Sequence, residues 1–111
     1  MKWTIEYYAN PDGKSPIKDF IDSLPFKAKA RMVKTLDLLE EYGIQMGKPH
    51  VKSVARKLWE LRLKVKEGIF RFFFIVEKNR VIILLHGFQK RSEKIPKREL
   101  DIAIKRMREI P

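Results

Sequence analysis

The 111-residue chain has no cysteine, which excludes a disulfide framework and thiolate metal sites. Its two histidines, His50 and His86, stand far apart, and no carboxylates repeat around either. Metal-assisted phosphodiester hydrolysis is therefore not expected, and no metal or cofactor is assigned. Glycine is scarce, with five in all. Gly68 and Gly87 stand alone, so no glycine-rich phosphate loop is present. None of Ser15, Ser23, Ser53 or Ser92 stands in a pattern that argues for a nucleophilic triad. No apolar run approaches the ~18–20 residues that cross a bilayer. The opening MKWTIEYY lacks the small-residue cleavage site of a signal peptide. The expectation is one cytoplasmic domain over residues 1–111, with no membrane partner.

Positive charge is what the chain has in excess. Twenty-five Lys and Arg against fourteen Asp and Glu leave +11 on a small domain. Such a field favours polyanionic partners, RNA or DNA first and anionic membrane second. Lys and Glu enrichment on thermophile surfaces accounts for many charges but not for their imbalance. Seven Phe, three Tyr and two Trp in a chain 44% hydrophobic supply a packed core.

Trp3, Ile5 and Tyr7 alternate with Lys2, Thr4 and Glu6, which reads as a strand closed by the turn cluster Asn10–Gly13. Ser15-Pro16 starts a helix, with the hydroxyl capping and proline at the first helical position. Pro25 ends it. A longer helix follows from Phe26 to Tyr42, with Met32, Val33, Leu36, Leu39 and Tyr42 toward the core and Gly43 as its stop. Lys27, Lys29, Arg31 and Lys34 form a solvated face or a partner surface. Residues 44–56 have no clean period and read as a loop or irregular edge. Three strands follow between Leu58 and Lys90, with turns at Glu67-Gly68 and Lys78-Asn79. Pro96 opens a last helix lined by Leu100, Ala103, Ile104 and Met107. The order β-α-α-β-β-β-α predicts an α+β domain, an antiparallel sheet packed against helices on one face.

Two-residue hairpins pair Arg71 with His86, Phe73 with Leu84, Ile75 with Ile82, Lys64 with Arg71 and Arg62 with Phe73. Glu60, Arg62, Lys64, Arg71 and His86 then share one face, with Phe88 and Lys90 beyond. The other face collects Leu61, Leu63, Val65, Phe70, Phe72, Phe74, Val76, Val81, Ile83 and Leu85. A basic cluster of this kind suits phosphate. Arg holds it bidentately, Lys is a point charge, and His exchanges protons near neutral pH. The residues alone leave two readings open: Arg71 serves function or pairs structurally with Glu60, and His86 serves function or is a hydrogen-bonded strand end. Trp59 shares the core face of Leu61 and Leu63. Phe88, beside Lys90, is a candidate base-stacking platform.

LWELR at 58–62, GIFRFFFIV at 68–76, LLHGFQKRSEKIPKRE at 84–99 and AIKRM at 103–107, with LDLLEEYG at 36–43, resemble the HigB-like, phage-type branch of the RelE/ParE toxin superfamily. The resemblance spans most of the chain and implies a RelE/ParE-like single domain. It implies the toxin of a type II toxin–antitoxin pair, a metal-independent endoribonuclease that cuts mRNA on the ribosome and blocks translation. It also implies an antitoxin partner with a helix-turn-helix domain. Arg62, Arg71 and Lys90 match basic positions of the family's active surface. They would hold the scissile phosphate while the 2′-OH attacks, leaving a cyclic phosphate and a free 5′-OH. Lys64, Phe88, Arg91 and Lys94 would contact RNA. RelE has a catalytic tyrosine near the position of Lys94 and a lysine at that of Glu60. This chain has neither, which leaves proton transfer to His86 or Lys94. A ParE-like gyrase inhibitor and a non-catalytic basic RNA- or protein-binding module are the alternatives.

Overall fold

The computed structural model describes residues 2–111. Strand β1 (Thr4–Tyr7) leads to α1 (Pro16–Asp22) and α2 (Phe26–Tyr42). A 3₁₀ turn (Gly43–Met46) follows, then β2 (Val51–Ala55), β3 (Leu58–Val65), β4 (Gly68–Glu77), β5 (Val81–Gln89) and α3 (Lys97–Arg108). Ser15 caps α1 by accepting from the Lys18 amide, and Pro16 opens the helix. Pro96 stands at the N-cap of α3. No described helix is long and apolar enough to cross a membrane.

The sheet order is β1-β5-β4-β3-β2. All neighbours are antiparallel except β1, which runs parallel to β5 at the edge. Strand β2 lies where the sequence reads as a loop or irregular edge. Gly47 and Pro49 obscure its period, but Val51 and Lys52 pair opposite Leu61 and Glu60. The α+β class and the order of the other elements stand.

Register is where pairing from the sequence alone departs from the structure. The β3–β4 turn is Lys66-Glu67, so Arg62 lies directly opposite Arg71 instead of Phe73. This slip of two residues preserves both faces. The β4–β5 turn holds three residues, Lys78–Arg80, with Asn79 and Arg80 in left-handed conformations, and Glu77 meets Val81. That slip of one places Ile82 and Leu84, rather than Val81 and Ile83, on the face of Phe74. A bulge at Leu85 then pairs Phe73 with His86 and Arg71 with Phe88. The bulge cancels the slip, so His86 returns to the face of Glu60, Arg62 and Arg71. It is no longer opposite Arg71.

Helices α1 and α2 cover one face. Phe20 packs its ring on Phe70 and Phe72, with centroids 6.4 and 6.0 Å away. Gly87 permits this approach, since a Cβ there would lie 2.7 Å from the Phe72 ring. On α2 the buried stripe is Ala28, Met32, Thr35 and Leu39. Val33 and Tyr42, expected in the core, are exposed. Trp59 packs half-buried on the core side, stacked 6.5 Å from Phe74. The expectation of helices on one face holds for α1 and α2. Helix α3 instead crosses the opposite face over β5, because Ala103 and its apolar neighbours must also be covered. This division leaves the β2–β3–β4 end of the second face outside α3.

Candidate functional site

At that uncovered end the period-two alternation of β3 and β4 brings Glu60, Arg62 and Arg71 onto one face. Two arginines directly opposite each other repel, and a carboxylate paired with one of them offsets this. Glu60 pairs with Arg71. Arg71 Nη1 donates to Glu60 Oε2 at 2.9 Å, and Lys52 Nζ of β2 lies 4.0 Å from Oε1. Glu60 is 1% and Arg71 5% exposed, so the pair is an internal ion pair on the cleft floor. Past β5 the Lys90 amide donates to the Ile69 carbonyl at 2.7 Å, extending the ladder. The mostly buried Lys90 side chain meets Glu93 at 3.2 Å.

These groups line an open cleft of about 350 Å³ with Lys48, Pro49 and Lys52. Five cations face two carboxylates there. The Nε atoms of Arg62 and Arg71 are buried with no hydrogen-bond partner among the described residues. Buried donors normally find an acceptor, and an anion supplies one to several guanidinium N–H groups at once. Arg62, Arg71 and Lys90 line one cleft, a cationic setting suited to an anion. Among the described residues no group of three His, Cys, Asp or Glu is placed to hold a metal.

The other candidates lie elsewhere. His86 sits under α3, where Nε2 is 2.8 Å from Glu99 Oε1 and Nδ1 is 3.4 Å from Arg106 Nη1. Arg106 also donates to the carbonyl of the bulged Leu85 at 2.9 Å. His86 therefore stands outside the cleft, with Phe88 between it and Arg71. Phe88 itself is 7% exposed and packed 5.5 Å from Phe73, so it offers no free ring face for stacking. Lys64, Arg91 and Lys94 are exposed and do not line the cleft. Lys48, Lys52 and Glu93 are cleft residues that sequence reasoning misses, while Glu60, placed on this face by parity, forms part of the cleft floor. Lys52 becomes legible only with β2, and Lys48 and Glu93 are brought in by loops.

Burial holds the His86 pKa below its usual value, with Arg106 and Arg98 acting in the same sense and Glu99 opposing. An Arg106 N–H directed at Nδ1 requires that nitrogen to be unprotonated, so Nε2–H donates to Glu99. The folded state therefore binds fewer protons here than the unfolded chain. This contribution to stability is complete above a pH of about 6.5 and is lost as pH falls toward the folded pKa. Urea midpoints measured across that range should decline on acidification, and His86→Gln should flatten that decline. An unchanged slope in the variant would refute the assignment.

A comparison with curated proteins returns no match. Among solved structures, the archaeal RelE–RelB complex from Pyrococcus horikoshii OT3 matches with a TM-score of 0.56 and 20% identity, covering 85% of this chain and 100% of that one. At that identity the likeness is one of fold, and it agrees with the RelE-like element order. The family model described as phage-derived protein Gp49-like (DUF891) matches residues 19–108, a span that contains α2, all of β2 to β5 and every cleft residue, and the chain belongs to that Gp49-like family.

Proposed function

We propose that this chain is the toxin of a toxin–antitoxin pair, a metal-independent endoribonuclease that cuts mRNA on the ribosome. The carrying observation is the cleft lined by Arg62, Arg71 and Lys90, with Arg71 paired to the buried carboxylate of Glu60. The RelE-like fold and the Gp49-like family support this reading. That the similar RelE was solved with RelB supports a protein antitoxin as partner. The HigB-type helix-turn-helix antitoxin belongs to the same proposal.

In the reaction, the 2′-oxygen forms a bond to phosphorus and the bond from phosphorus to the 5′-oxygen breaks. Arg62 and Arg71 neutralise the charge that builds on the phosphoryl oxygens. The 2′-OH proton passes to solvent in the open cleft and the Lys90 ammonium supplies one to the leaving 5′-oxygen, while the buried Glu60 holds Arg71 in place. The remaining positive surface engages ribosomal RNA, so activity should fall steeply with salt.

Primer extension on mRNA in a translating extract tests the assignment. Wild-type protein should leave discrete stops, and Arg62→Ala with Lys90→Ala should reduce cleavage by about 100-fold or more. Wild-type cleavage by that variant would remove the cleft from the mechanism. Loss of gyrase supercoiling activity without mRNA cleavage would favour the ParE-like alternative.

A further inference from the structure

Next to the basic cleft lies a larger groove, about 570 Å³, between the second half of α2 and the end of β3. The two share Pro49 and Arg62. Resting on the reading of the cleft as an RNA phosphate site, we propose that this groove is a nucleobase subsite. It would receive a base flanking the phosphate held by Arg62, Arg71 and Lys90.

The wall chemistry selects this occupant. Tyr42, 50% exposed, and the exposed His50 offer planar faces, while Leu38, Met46 and Pro49 give an apolar bed. No carboxylate lines the groove, and its charged residues, Arg31, Arg62 and Lys64, are all cationic. An aromatic and apolar floor with a cationic rim is the combination that holds single-stranded nucleic acid, with stacking for the base and charge for the backbone. Gln45 on the lining has an amide able both to donate and to accept at a base edge. Arg62 belongs to both spaces, so one residue ties the position of the base to that of the phosphate.

Tyr42 owes its exposure to the phase of α2. The buried stripe of Ala28, Met32, Thr35 and Leu39 turns Leu38 and Tyr42 outward toward the groove. Thr35 adds no reactive edge, because its hydroxyl donates to the Arg31 carbonyl at 2.9 Å. The apolar side chains here are therefore surplus to the core and available to a ligand.

Anisotropy titration with a short single-stranded RNA carrying one 2-aminopurine, and with the same strand abasic at that position, tests the subsite. The wild type should bind the base-containing strand about tenfold more tightly and quench its fluorescence. Tyr42→Ala should erase the preference while leaving affinity for the abasic strand unchanged, and Tyr42→Phe should restore it. Lys90→Ala should weaken both strands alike. A preference that survives both Tyr42→Ala and His50→Ala overturns the subsite and leaves the cleft reading intact, with a protein segment as the groove's occupant. Failure of the wild type to bind either strand overturns the subsite, and the cleft reading is then judged by the primer-extension result.

Discussion

Glu60→Leu and Arg71→Met, made singly, should each destabilise the domain by about 3–5 kcal/mol, and the double variant should recover most of that loss. Each single change leaves one charge on the cleft floor with its main partner gone. The two losses should differ. Arg71→Met leaves Glu60 within reach of Lys52 at 4.0 Å, whereas Glu60→Leu leaves Arg71 opposite Arg62 without its carboxylate partner. Glu60→Leu should therefore be the worse. In the double variant two apolar side chains of similar volume replace the pair, and no charge is stranded. Urea unfolding of the four proteins gives the coupling energy directly. If the losses simply add, the pair contributes nothing as a pair and the account is wrong. The double variant should also be folded yet fail to cleave mRNA, separating the structural role of these residues from their proposed chemical one.

The sequence made the sheet faces legible but not the contacts across them. Alternation in Leu58–Val65 and the lone polar residue in 69–76 are properties of parity, and parity survives a slip of two. What sets the actual neighbours is turn length and bulging, and both are decided by tertiary packing. At Lys78–Arg80 the left-handed conformation of Asn79 is expected of that residue, but Arg80 adopts it as well, at φ 57°. Its guanidinium lies over the Trp3 ring, 5.4 Å from the centroid, a contact that no local pattern announces. The Leu85 bulge is met by Arg106, twenty-one residues further on. For the candidate site this means that parity groups Arg62, Arg71 and Lys90, which line one cleft, but cannot separate His86 and Phe88 from them. Glu60 is visible as a partner for Arg71. Its burial inside the cleft depends on β2, hidden by Gly47 and Pro49. The amphipathic phase of α2 is misleading because Ala28 and Thr35 carry little hydrophobic signal, although they face the core.

Gly43→Ala should cost about 3 kcal/mol or more, and two separable terms contribute. Gly43 follows α2 with φ 56° and ψ −139°, a conformation nearly confined to glycine, and forcing an L side chain there costs about 1–3 kcal/mol. The second term is steric. A Cβ would overlap Trp3 Cε2 and Cδ2 and lie 2.6 Å from Cζ2, so the indole must move. Its backbone is fixed by the bond from the Trp3 amide to the Glu40 carbonyl at 2.7 Å, and the ring is 8% exposed, so room is short. Overpacking of this kind adds about 1–3 kcal/mol. Gly13→Ala provides the internal control, because Gly13 also has positive φ, at 82°, but a Cβ there would meet nothing within 4 Å. The difference between the two losses in urea unfolding isolates the clash with Trp3. Trp3→Leu in the Gly43→Ala background should return part of that difference, and equal losses at Gly43 and Gly13 would refute the clash. The effect should also reach the groove, since Gly43 leads through the 3₁₀ turn to Gln45 and Met46 on its lining. Any Gly43→Ala protein that remains folded should therefore lose base-dependent RNA binding before it loses affinity for an abasic strand.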